Sequence, residues 1–110
     1  MNSPAAHPHQ HVVQRRQLPL PTAYVSPRTA TEQRLVEIWR TVLSMDFVGV
    51  DDDYNDLGGD SLQAVAIFSL IDQAFRVSIP MGTLVEAPSI AQLARRIDAV
   101  LPGTLVDRNE

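Results

Sequence analysis

Three stretches of this chain repeat their apolar residues at the spacing of an α-helix, while strands are hard to place anywhere, so the pattern confines the fold to the all-α class. The first stretch runs through Leu35, Ile38, Trp39, Val42 and Leu43. Ahead of it Thr29 and Glu32 form a capping-box pattern, hydroxyl and carboxylate each satisfying the other's backbone N–H. An amphipathic helix of about four turns, ending near Met45, is expected. Trp39 lies on its apolar stripe and is therefore expected in the core.

The second stretch runs from Ser61 to about Phe75, with Ala64, Ile67, Phe68, Ile71 and Phe75 on one face. Ser61 stands where an N-cap belongs. Leu62, Val65 and Ala66 are also apolar yet lie largely off that face. Either the helix is buried all round, or its first half offers a docking surface. Ser89 and Gln92 form another capping box before Ile90, Leu93, Ala94 and Ile97, giving a last helix that ends near Val100, ahead of Pro102-Gly103. Between them, Pro80 to Glu86 is short enough for one brief helix. The expected architecture is three long helices and a short one.

A chain of 110 residues, 45% of them apolar, has room for one modest domain. It contains no cysteine, which removes disulfides, thiolate metal sites and a cysteine nucleophile together. The N-terminus has no apolar signal region and no stretch approaches a membrane span, so a soluble cytoplasmic protein is expected, with no membrane partner. Residues 1–28 hold five of the eight prolines and all three histidines, His7, His9 and His11. They show no periodicity and are expected to form a flexible, extended leader. A single folded unit is then expected over 29–101, with 102–110 as a tail.

Charge is unevenly placed. The net charge is only −4, but seven aspartates and no basic residue lie between Arg40 and Arg76. That segment should attract basic partner surfaces and repel nucleic acid. Residues 46–60 carry six of these aspartates and three glycines without any period, as expected of a long functional loop. Val48, Val50, Tyr54 and Leu57 are spaced to pin it to the helices.

The chemistry is concentrated in Leu57-Gly58-Gly59-Asp60-Ser61-Leu62. The glycines permit a sharp turn and leave space around the serine. Ser61 is then displayed at a helix N-terminus, where free N–H groups and the helix dipole favour an anionic substituent. No base lies nearby in sequence, so another enzyme would have to activate the hydroxyl. A serine that merely caps a helix would leave the glycine pair, the acidic loop and the second apolar face unexplained. Gly59-Asp60-Ser61-Leu62 also spells the nucleophile block of GDSL esterases, but these need a downstream histidine and a longer α/β chain. A calcium loop fails in both registers: from Asp51, Asp56 and Leu62 occupy the glycine and glutamate positions, and from Asp53, Leu57 and Ala64 are misplaced. No metal site is expected.

From about Thr29 to Val100 the chain resembles a peptidyl carrier (thiolation) domain of nonribosomal peptide synthesis. The resemblance rests on Ile38-Trp39, Val42-Leu43, Val48-Gly-Val-Asp-Asp-Asp-Tyr54, Leu57-Gly-Gly-Asp-Ser-Leu62 and Ala87-Pro-Ser-Ile90. It implies a four-helix bundle that is not a catalyst. It implies a 4′-phosphopantetheine arm on Ser61, installed from coenzyme A by a phosphopantetheinyl transferase, with Gly58, Gly59 and Asp60 as the supporting loop. The cargo would be an aminoacyl, aryl or peptidyl thioester, loaded by an adenylating enzyme or domain and passed to condensation or tailoring enzymes. Docking is implied at Leu62, Val65, Ala66, Met81 and Val85, on a monomer. Leu18-Pro-Leu-Pro21 resembles the linker between an adenylation domain and its carrier; beginning at Met1 without that domain, the chain is expected to be free-standing. An acyl carrier of a polyketide-type pathway and a helical interaction module without an arm are the alternatives.

Overall fold

The computed structural model describes residues 12–101, and these form four helices: α1 (Ala30–Leu43), α2 (Ser61–Phe75), α3 (Thr83–Glu86) and α4 (Ile90–Val100). The expected all-α bundle of three long helices and a short one is what forms. Among the described residues there is no strand, only an isolated bridge between Val13 and Met45. No described helix is long and apolar enough to cross a membrane.

Each helix begins and ends for a local reason. Thr29 caps α1, its hydroxyl accepting the Glu32 N–H at 3.1 Å. The Glu32 carboxylate reaches further back than the box pattern implies, accepting from the N–H of Arg28 at 2.8 Å and from its guanidinium at 3.0 Å. Ser44 closes α1 in the left-handed conformation at φ 56°, and Arg76 closes α2 in the same way at φ 60°. Ser89 and Gln92 complete the expected box at α4. The short helix starts at Thr83, because Pro80 to Gly82 form a turn ahead of it.

Helix α1 packs against α2 and α4. Leu35, Trp39, Ile67, Ile71, Ile90, Leu93 and Ile97 are fully buried where they meet. Full burial of a Leu or Ile side chain contributes about 1.5–3 kcal/mol, so this stripe-on-stripe contact is the main source of stability. The loop between α1 and α2 is fixed from inside: Val48, Val50, Tyr54 and Leu57 all enter the core, as their spacing suggests.

The leader departs from expectation. Described residues 12–28 remain without a long element, having only a single 3-10 turn at Arg15–Gln17, but they are bonded to the bundle rather than loose. Val13 N–H donates to Ser44 O at 2.7 Å, Asp46 N–H to Val13 O at 3.0 Å, and Val50 N–H to Val25 O at 2.9 Å. Leu18 and Leu20 of the Leu-Pro-Leu-Pro segment pack on the core. Residues held by individual bonds to a distant loop need no period of their own, which is why periodicity missed them. His7, His9 and His11, and the tail from Pro102 onward, lie outside the described residues.

Candidate functional site

The loop reaches Ser61 through two glycines that serve different needs. Gly58 has φ +84°, with nothing near the place a side chain would occupy, so it is required for its backbone angle. Gly59 is required for space: a Cβ there would fall inside the ring of Tyr54. Tyr54 closes this corner on several sides. Its hydroxyl donates to Asp60 O at 2.7 Å, its N–H to Pro88 O at 2.9 Å, and its carbonyl accepts from Gly59 N–H at 3.2 Å. Its ring meets that of Trp39 edge-on, with centroids 6.1 Å apart. Burial is the main reason the Tyr54 phenol is pushed above its usual value, which keeps it a hydrogen-bond donor.

Ser61 is not the N-cap. Asp60 takes that role: its carboxylate accepts from Gln63 N–H at 2.8 Å, and the Gln63 side chain accepts from Asp60 N–H at 3.1 Å. The expectation that Ser61 caps α2 is therefore corrected by one residue. The signal was present in the sequence, since Asp60 and Gln63 have the capping-box spacing. The consequence is chemical, because Ser61 becomes the first helical residue and its exposed side chain is released from capping.

The rest of the motif gathers around that hydroxyl. A groove of about 310 Å³ lies beside it, lined in part by Tyr54, Gly59, Ser61, Ala64, Met81 and Val85. A hollow of about 420 Å³ between α1 and α2 includes none of the Leu57–Leu62 residues. The second apolar face of α2 is exposed, with Leu62 79% and Val65 52% accessible and Ala66 also open. Met81 and Val85, at 43% and 84%, extend it across the groove. Of the two explanations for that face, burial all round is thereby removed.

The aspartates divide into two kinds. Asp51, Asp56, Asp60 and Asp72 are exposed and Asp46 and Asp53 are half-buried, giving the acidic surface that composition suggested. Asp52 is different: it is buried and paired in an ion pair with Arg15. Burial pushes its carboxyl upward, but hydrogen bonds from Arg15, Gly49 N–H and Thr22 hold it below the usual range.

Comparison with known proteins settles the family. The family model described as "Phosphopantetheine attachment site" matches residues 33–97, more than half of the chain. The chain belongs to the phosphopantetheine-attachment family. Within it, this carrier domain is 41% identical over 99 residues to tyrocidine synthase 3 of Brevibacillus parabrevis, a match covering 84% of the chain. It is 44% identical over 81 residues to the chondramide synthase cmdD of Chondromyces crocatus, covering 74% of the chain. In both cases the carrier spans only about 2% of the length of the relative. The peptidyl carrier protein solved in complex with the phosphopantetheine transferase Sfp and coenzyme A superposes with a TM-score of 0.67 at 33% identity, covering 69% of this chain and 99% of that one. The carrier is thus homologous to those of nonribosomal peptide synthetases, a non-catalytic class whose members are modified by another enzyme.

Proposed function

We propose that Ser61 is where this carrier receives 4′-phosphopantetheine, and that the loaded chain presents an aminoacyl, aryl or peptidyl group to enzymes of nonribosomal peptide or related natural-product synthesis. One observation carries the assignment: within the Leu57–Leu62 motif, Asp60 performs the capping and Ser61 is left exposed as the first residue of α2.

The residues present suit the group. Asp60 and Gln63 consume the Gln63 and Asp60 N–H groups, while Ala64 N–H donates to Asp60 O at 3.0 Å. The Ser61 and Leu62 N–H groups have no acceptor among the described residues, so they and the helix dipole are available to a phosphodiester on Ser61 Oγ. The groove beside Ser61 combines apolar walls from Ala64 and Val85 with polar edges from Asn55 and Asp60, matching the mixed character of a pantetheine. When bound, the arm supplies a thiol that holds the acyl group as a thioester at high effective concentration. The chain's own task is presentation: Gly58 turns the loop, Tyr54 fixes Asp60, and Asp60 caps the helix that aims Ser61 outward.

Deprotonation of Ser61 falls to a phosphopantetheinyl transferase, which brings coenzyme A and its own Mg²⁺. Leu62, Val65, Ala66, Met81 and Val85 form the surface offered to that enzyme, to an adenylating enzyme and to condensation or tailoring enzymes. Asp60, which lines the groove beside this surface, favours partners with basic rims. The carrier acts as a monomer in the cytoplasm, without nucleic-acid or membrane partners.

Incubation with coenzyme A and a broad-specificity transferase tests the assignment. The intact mass should rise by one phosphopantetheine, and Ser61→Ala should abolish the gain. A wild-type chain that folds and gains no mass would point to an interaction module without an arm. Loading by an adenylating enzyme, and not by an acyltransferase, then separates peptidyl from polyketide-type use.

A further inference from the structure

Apart from Arg28, which bonds Glu32 of α1, the segment before α1 directs its polar contacts outside itself to one part of the molecule, the first half of the loop that leads to Ser61. Arg15 and Asp52 are the centre of this contact. The guanidinium donates twice, from Nε to Asp52 Oδ2 and from a terminal nitrogen to Oδ1, both at 2.7 Å. The Asp52 side chain is fully buried and that of Arg15 is 14% exposed. Thr22 Oγ1 donates to Oδ1 at 2.9 Å and Gly49 N–H to Oδ2 at 2.8 Å, so four hydrogen bonds converge on one carboxylate. Two of these donor residues belong to the leader and one to the loop.

The remaining contacts reinforce the pairing. Arg15 N–H donates to Asp46 Oδ1 at 2.8 Å, and the Arg15 guanidinium lies 5.4 Å from the centre of the Tyr24 ring. Tyr24 in turn meets Phe47 edge-on at 6.0 Å. Beyond Asp52 the loop passes to Tyr54, whose hydroxyl and ring hold Asp60 and Gly59. The loop has no regular element between Ser44 and Asp60. It is clamped in its first half by the leader and in its second half by Tyr54.

We propose that Arg15 and Asp52 form a latch through which residues 12–28 set the position of the Ser61 loop, making Asp52 a positioning residue for modification of Ser61. The foldable unit on this basis includes residues 13–28 and does not begin at Thr29. It rests on Ser61 being the attachment site, but the latch itself is read out independently of modification.

Amide hydrogen exchange on the full chain, with and without Arg15→Met, tests it. Arg15→Met leaves the buried Asp52 unpaired, and the melting temperature should fall by roughly 10 °C. Well below melting, exchange at Gly59 and Asp60 should accelerate at least tenfold while the amides of α4 stay protected, because local opening is distinct from global unfolding. Arg15→Lys, which keeps the charge and loses the fork, should recover part of the protection. Should Arg15→Met fail to fold, Thr22→Val removes one bond while leaving the ion pair, and should loosen Gly59 and Asp60 to a smaller degree. Unchanged exchange in the loop, or a uniform loss of protection across all helices, would overturn the latch. Failure of the wild type to accept phosphopantetheine would instead sink the assignment of Ser61 and leave the exchange result standing.

Discussion

At Gly58 the backbone angle leaves room for a side chain but strains it, whereas at Gly59 the angle is ordinary and the space is taken by Tyr54. Gly58→Ala should therefore cost about 1–2 kcal/mol, the usual penalty for a left-handed residue with a Cβ. Gly59→Ala forces the Tyr54 ring from its seat, a rigid overpacking worth about 1–3 kcal/mol, and it also displaces the donor to Asp60 O. Denaturant titration should show both losses, and only Gly59→Ala should additionally slow transferase modification measured well inside the folded baseline. Equal modification rates for the two variants would mean that Tyr54 does not govern how Ser61 is presented. The glycines themselves are visible in the sequence, but their separate reasons are not. Which of two adjacent glycines has the positive φ, and which is approached by a ring, depends on contacts across the loop.

Helix α2 has one buried and one exposed apolar face, and the docking proposal assigns partner recognition to the exposed one. Ala64, Ile67, Phe68 and Ile71 are buried, while Leu62 and Val65 face outward. Substituting Val65→Asp or Met81→Glu should leave the denaturation midpoint within about 0.5 kcal/mol of wild type. The same variants should lower turnover by partner enzymes by about tenfold, if losing an apolar contact costs the 1–3 kcal/mol typical of such pockets. Normal transfer by both variants would remove this face from the docking surface. The helices were legible because apolar periodicity is a local property, and both faces of α2 could be read from it. The N-cap was legible too but was misassigned, since Asp60 and Ser61 are both capping residue types and residue type alone does not choose between them. Gln63 three positions after Asp60 was the tie-breaker in plain sight.

For the whole molecule, stability combines the apolar bundle with the ion pair that ties residues 37 apart in sequence. Such a pairing has no pattern to read: Arg15 and Asp52 each look like ordinary surface charges, and the loose-leader expectation followed. Asp52 and Glu32 both have carboxyls held below their unfolded values, despite burial, by Arg15 and by Arg28 respectively. A lowered folded-state value means that each contribution is complete above an unfolded pKa of about 4 and is lost as pH falls through the folded one. Melting temperature should thus hold steady above about pH 5 and drop in acid. Asp52→Asn should start lower and fall less steeply; a parallel acid limb would show that Asp52 is not a principal titrating group. The most direct measurement of the central claim is fragment-ion mapping of the chain after transferase and coenzyme A treatment. The phosphopantetheine should be found on Ser61 and on no other serine, and its location on Ser69, Ser78 or Ser89 would contradict the assignment.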